Sequence, residues 1–287
     1  MPSKPLFASR LPVLLPCDDR TLLVDTSTTF CYFVDMTTKT GNFNVIRHED
    51  QFIMNLANVA TPNKPVVGGH TAQGESSGQL FYWSHSTFGK DFEFGLHPHQ
   101  GFEIITYILE GKNSHFDTAK GVWKDLKTGD MQIIFSGSGL SHNEKVSGGS
   151  RAFQIWFDPN YQQALLQEPD YSDHGYESFS REIFDGIETT YLVGPKSLVT
   201  ARTPGLKVSR YRPISNNLLN LSLDINAKNF IYVINGSAST DNRNLLPNDV
   251  LIIENESNCE LEVSPTADIF VISLPARPSY QPVQQRK

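Results

Sequence analysis

The sequence predicts an all-β protein: two tandem small β-barrels with few short helices. Short β-branched and aromatic runs recur between Gly, Asp, Ser and Pro, helical periodicity is scarce, and a weak internal repeat doubles the pattern. Residues 21–36 are rich in Val, Thr, Phe and Tyr, and residues 80–84 are aromatic. Residues 104–109, 131–135 and 152–157 each read as a strand bounded by turn residues. Residues 62–78, rich in Gly, Pro, Thr and Ser, read as an irregular surface loop. The clearest helix candidate is 160–168, with Pro159 just ahead and Pro169 just after.

The repeat sets the domain organisation. Tyr107-Ile-Leu-Glu-Gly111 followed by Thr128-Gly-Asp-Met131 parallels Tyr232-Val-Ile-Asn-Gly236 followed by Pro247-Asn-Asp-Val250. In each copy a strand ends in Gly and a second strand opens on an Asp-containing turn. The expected domains are 1–160, a first barrel; 161–203, a linker with a short helix; and 204–287, a second barrel.

The chain of 287 residues is long enough to bury a core without staples. Its net charge of −7, with no cluster of Lys or Arg, argues against direct nucleic-acid binding. Cys17, Cys31 and Cys259 are far apart and fit neither a disulfide framework nor a zinc cage. With no apolar leader and no membrane-length apolar run, the expectation is a soluble cytoplasmic protein, with a nuclear location also open if the source is eukaryotic. The three Asn-x-Ser sequons are then chance matches.

Gly74-Glu-Ser76-Ser-Gly78 matches a hydrolase nucleophile pattern, but that motif needs a buried strand before it and a helix after it. Neither is expected here, and the match is rejected.

The chemistry lies in Gly95-Leu-His97-Pro-His99-Gln-Gly101-Phe-Glu103 and Gly139-Leu-Ser-His142-Asn-Glu144. Residues two apart on a strand share a face, so His97 with His99, and His142 with Glu144, can converge on one point. Three imidazoles and one carboxylate suit one divalent transition metal (Fe, Mn, Ni, Cu or Zn) and not Mg or Ca. Four ligands on an octahedral ion leave two positions for a substrate oxygen and a second small ligand such as dioxygen. No histidine follows His174, so an imidazole site belongs to the first barrel. His48, His70, His85, His115 and His174 read as mostly solvated.

His97-Pro-His99-Gln-Gly-Phe-Glu103, with Thr106-Tyr107 and Gly111, resembles the signature of the pirin family, two-barrel members of the cupin superfamily. Gly137-Ser-Gly-Leu-Ser-His142-Asn-Glu144, His115-Phe-Asp117 and Phe153-Gln154-Ile-Trp156 also look like its motifs. The resemblance covers roughly residues 90–165. The 96 residues ahead of the first motif, more than a typical member has, imply an insertion in the metal-binding domain 1–160, while 204–287 carries no metal ligands. The resemblance implies a single metal, Fe(II) first, on His97, His99, His142 and Glu144. Many cupins instead use a carboxylate at the place of Glu103, so the choice between Glu103 and Glu144 stays open. The pirin pattern favours Glu144, with Glu103 as a nearby proton acceptor or as a carboxylate bonded at a turn.

The resemblance further implies a quercetin 2,3-dioxygenase-like enzyme acting on a small aromatic enol or flavonol-like substrate with dioxygen. Phe102, Phe135 and Phe153 would then line a pocket for flat rings. A metal-responsive cofactor that binds a protein partner, of the transcription co-regulator type, is the alternative. A cupin isomerase or sugar-binding protein is a third possibility, since a fold does not fix a function.

Overall fold

The computed structural model describes residues 13–17, 20–24, 31–34, 42–56 and 59–283. Residues 1–41 form one unit and 42–287 another. Within the first unit, Val13–Cys17, Arg20–Val24 and Cys31–Val34 make a three-stranded antiparallel meander. The rest of the expected 21–36 segment and the side chains of Cys17 and Cys31 lie outside the described residues.

The second unit is almost wholly β, as the sequence predicts, and is built from two barrels, each of a large and a small sheet. In the first barrel the large sheet runs Asp170–His174, Met131–Phe135, Glu103–Glu110, Arg151–Phe157, Leu80–Phe88, Ala60–Val67, Phe52–Ile53. Its small sheet runs His97–His99, Leu140–Val146, Lys112–Asp117, Trp123–Lys127. In the second barrel Ser180–Phe184, Ile187–Val193, Lys207–Pro213, Asp268–Pro275, Ala227–Asn235, Val250–Glu254 and Phe43–Ile46 form the large sheet. Leu218–Ser222, Asn258–Val263, Ala238–Thr240 and Arg243–Leu245 form the small one. Sheet membership crosses sequence order at two points. Phe43–Ile46, ahead of the first barrel, pairs with Val250–Glu254 of the second, and Asp170–His174 pairs back onto Met131–Phe135.

The continuous apolar run Glu103–Glu110 is buried on both faces for seven of its eight residues, as a central strand should be. One face meets the barrel interior and the other meets the second large sheet. The main core therefore lies between the two large sheets, where Trp83, Tyr107 and Phe153 pack with Tyr232 and Phe270. The second barrel has its own apolar filling, including Leu221, Ile231, Leu245, Leu251, Leu261 and Val271. The first barrel holds only small apolar groups at its ends, such as Ile104 with Ile134 and Leu140, and Ala60 with Phe88 and Val146. Its middle is polar.

Two local readings change. Residues 62–78 are not one surface loop: Ala60–Val67 is a largely buried strand, and His70–Thr71 pairs with it. Pro62 and Pro65 suggested a loop, but the strand bulges between Asn63 and Val66, which relieves the missing donor. The helix of 160–168 shrinks to Tyr161–Ala164, preceded by Asn160 in the left-handed region at φ 79. Ser76 of the Gly-x-Ser-x-Gly match is followed by the strand Leu80–Phe88 and not by a helix.

Candidate metal centre

His97–His99 lies antiparallel to Leu140–Val146, with His97 directly opposite His142. Leu140–Val146 alternates strictly, with Leu140, His142, Glu144 and Val146 all buried on the inner face. Gly101 then turns the chain from the histidine strand into Glu103–Glu110 at φ 75, and a Cβ there would run into the Tyr161 ring. That position admits only glycine without strain.

The strand geometry brings three of the four proposed ligands together. His97, His99 and His142 each offer a nitrogen, and these atoms all lie within 4.8 Å of one another. The ring centroids are 4.3 Å apart for His97 and His142, 4.6 Å for His99 and His142, and 5.0 Å for His97 and His99. Nδ1 of His97 sits 2.8 Å from the Gly95 carbonyl, which can only accept. The proton of the neutral ring is thereby held on Nδ1 and the Nε2 lone pair is left free. His99 Nε2 and both nitrogens of His142 are buried without a hydrogen-bond partner.

Buried polar atoms are rarely left so, and a cation would satisfy them. Burial and the neighbouring imidazoles hold His99 down at about 4 and His142 at about 2, so both present neutral nitrogens at neutral pH. The donor set thus fits a borderline transition metal.

Glu144 is near this group but outside the 4.8 Å cluster. Its carboxylate accepts from Gln154 Nε2 at 2.8 Å and from Asn113 Nδ2 at 3.4 Å. Burial pushes it above the usual carboxylate range, while His97 and these hydrogen bonds pull the other way. Glu103 is committed elsewhere. Its Oε1 accepts the Arg202 N–H at 2.7 Å, and its Oε2 accepts the Thr203 N–H at 2.7 Å and the Thr203 hydroxyl at 2.6 Å. The carboxylate thereby pins the 202–203 segment.

The expectation that the other histidines are solvated fails for two of them. His115 is buried, its ring 5.2 Å from that of His142 and its Nε2 3.7 Å from Asp117 Oδ2. His85 is buried at the barrel interface, with Nδ1 2.8 Å from the Tyr232 hydroxyl and Nε2 3.3 Å from the Arg151 guanidinium. Burial first, then Arg151, lowers His85 to about 3.

A cavity of about 160 Å³ opens inside the first barrel beside Glu144, with Thr106, Gln154, Tyr82, Phe88 and Phe94 among its walls. Of the three phenylalanines expected to line it, only Phe153 does. Phe102 packs between Phe81, Trp156 and Tyr161, and Phe135 lies under the Arg202 guanidinium. Sequence reasoning missed Lys64, on the Ala60–Val67 strand within the misread segment, and Tyr82, on the Leu80–Phe88 strand that follows it, both bordering the cavity. Polar residues inside otherwise apolar strands were the available signal.

Residues 67–157 match the Pirin family model. Over those residues the chain is similar to the pirin family. It is 31% identical over 153 residues to a pirin-like protein of Solanum lycopersicum, with 51% of each chain covered. It is 36% identical over 85 residues to a candidate quercetin 2,3-dioxygenase of Zymomonas mobilis, covering 29% of this chain and 36% of that one. The chain thus spans about half, or less, of the length of these curated relatives. The bacterial pirin YhhW of Escherichia coli, solved with nickel(II), superposes with a TM-score of 0.67 at 17% identity, covering 81% of this chain and 99% of that one. The matched residues 67–157 hold all three clustered histidines, and the likeness of fold to the bacterial pirin covers 81% of this chain. No helix among the described residues is long and apolar enough to cross a membrane.

Proposed function

We propose that the first barrel binds one divalent transition metal, Fe(II) foremost, through His97, His99, His142 and Glu144, and adds dioxygen to an enol or flavonol-like substrate. The observation that carries this is the convergence of three imidazoles with unpartnered buried nitrogens beside an interior cavity. The dioxygenase names among relatives and the nickel-bound E. coli pirin support it.

When bound, the metal would act as Lewis acid and template for the substrate oxygen. The protein does the rest. Gly95 fixes the tautomer of His97, and Trp156 packs edge-on against His99 at 4.8 Å, holding its ring angle. Gln154 and Asn113 orient the Glu144 carboxylate, whose raised proton affinity suits it to take the enol proton. Phe88, Phe94 and Phe153 give the cavity apolar walls that exclude water from the reacting centre.

A metal-responsive, protein-binding role is the second reading. Leu96 is 60% exposed directly beside His97, so occupancy of the site could be felt on the surface. A cytoplasmic or nuclear setting belongs to either reading.

Aerobic incubation of the iron-loaded protein with quercetin tests the first reading, by loss of the flavonol's visible absorbance. Turnover that vanishes in His142→Ala supports it. No turnover with iron, manganese, nickel or copper removes it, and metal-dependent partner binding would then carry the second.

A further inference from the structure

Resting on the dioxygenase reading, the geometry points to a narrower substrate class: we infer that the cavity takes a one-ring anionic enol or phenol, whose negative group pairs with Lys64, in preference to a three-ring flavonol.

The size of the cavity is the first observation. At about 160 Å³ it is close to the volume that encloses a benzene ring in an engineered protein cavity, roughly 150 Å³. A single ring fills it, and a flavonol would have to leave most of its atoms outside.

The charge distribution is the second. Glu144, Thr106, Asn113 and Gln154 form one polar part of the wall, linked to the histidine cluster through Glu144, which shares its strand face with His142, and through Phe94, whose ring lies 6.3 Å from that of His97. Lys64 and Tyr82 form another, with the Lys64 ammonium 5.5 Å from the centre of the Tyr82 ring. Among the described residues no carboxylate pairs with Lys64, and its proton affinity is lowered by burial alone. A partly buried ammonium on a cavity wall without a counterion is a ready partner for a ligand anion, which would make a charge-assisted contact there.

Met54, Leu56, Phe88 and Phe94 line the space with apolar surface suited to a flat ring. A ring with a hydroxyl directed at Glu144 and a carboxylate or second oxyanion directed at Lys64 uses each of these features. The flavonol quercetin offers the hydroxyl but no full charge at neutral pH.

Calorimetry on the full, metal-loaded chain under nitrogen tests this without turnover, using salicylate, its uncharged amide and quercetin as probes. Salicylate should bind at least tenfold more tightly than the amide, as a charge-assisted contact implies. Lys64→Met should erase that difference, and Lys64→Arg should retain it. Equal binding of acid and amide, an unchanged ratio in Lys64→Met, or tighter binding of quercetin than of salicylate would overturn the inference. Oxygen is absent throughout, so a failed dioxygenase reading shows up in the aerobic assay and not here. If Lys64→Met does not fold, the acid-to-amide ratio in the native chain and in Lys64→Arg still decides the matter.

Discussion

Tyr107 in the first barrel holds the place that Tyr232 holds in the second. Tyr107 pairs with Phe153 and Tyr232 with Phe270, and both rings pack at the junction of the two large sheets. Each hydroxyl reaches across to a basic side chain of the other barrel: Arg210 Nη1 at 2.9 Å for Tyr107, and the His85 ring at 2.8 Å for Tyr232. The register extends outward from these tyrosines. Gln132, Thr106, Gln154 and Ser84 form one cross-strand row inside the first barrel. Leu251, Ile231, Val271 and Ser209 form the matching row in the second. One architecture thus carries a polar belt in one copy and an apolar filling in the other. Among the described residues, only the polar copy surrounds an ion-sized cluster of imidazoles.

The metal should stabilise the fold. At free metal a hundredfold above its Kd, linkage adds about 2.7 kcal/mol to unfolding stability. Thermal unfolding with and without added Fe(II), Mn(II) or Ni(II) checks this. His142→Ala should lose both the shift and the bound metal found by elemental analysis.

Glu103→Ala should destabilise without emptying the site. It leaves the Arg202 and Thr203 N–H groups without their acceptor. The expected cost is roughly 2–4 kcal/mol, read from urea denaturation. Metal content should be unchanged, and a large loss of metal would show that Glu103 is a ligand after all.

His85 should make stability depend on pH. The unfolded chain protonates this imidazole below its ordinary 6.5, whereas the folded chain resists down to about 3. Stability is therefore full above pH 6.5 and declines as the pH falls towards 3, by on the order of 4 kcal/mol from this group. His85→Gln should flatten the fall of unfolding midpoint with pH across that window.

Phe153→Ala should couple both barrels' losses. Its ring lies 4.8 Å from Phe270, 5.2 Å from Tyr232 and 5.5 Å from Trp83, all buried. A cost of about 3–5 kcal/mol is expected from the cavity left behind. Chemical denaturation should still show a single transition, because the damaged core belongs to both sheets.

The sequence shows what is local and hides what is remote. Runs such as Met131–Phe135 were legible because β-branched and aromatic residues sit between turn formers. The pairing of His97 with His99 was legible because strand alternation is a two-residue rule. Ala60–Val67 was not, because Pro62 and Pro65 read as loop until the bulge and the neighbouring strand are seen. The role of Glu103 was left open because its partners lie at 202 and 203, far along the chain. His115 looked solvated beside polar neighbours, yet Lys112–Asp117 pairs with Leu140–Val146 and turns that ring inward. The orientation of Glu144 beside the imidazoles rests on a side-chain hydrogen bond from Gln154 that no periodicity reveals.

The exchange of border strands has a consequence for how the protein is made. Phe43–Ile46 leaves the ribosome long before Val250–Glu254, its partner, has been translated. The second sheet therefore closes with a segment that has waited throughout synthesis of the first barrel. A gene cut between the barrels would yield two fragments, one carrying an orphaned strand and the other an open rim. Grafting residues 43–46 onto the downstream fragment is the repair this wiring dictates.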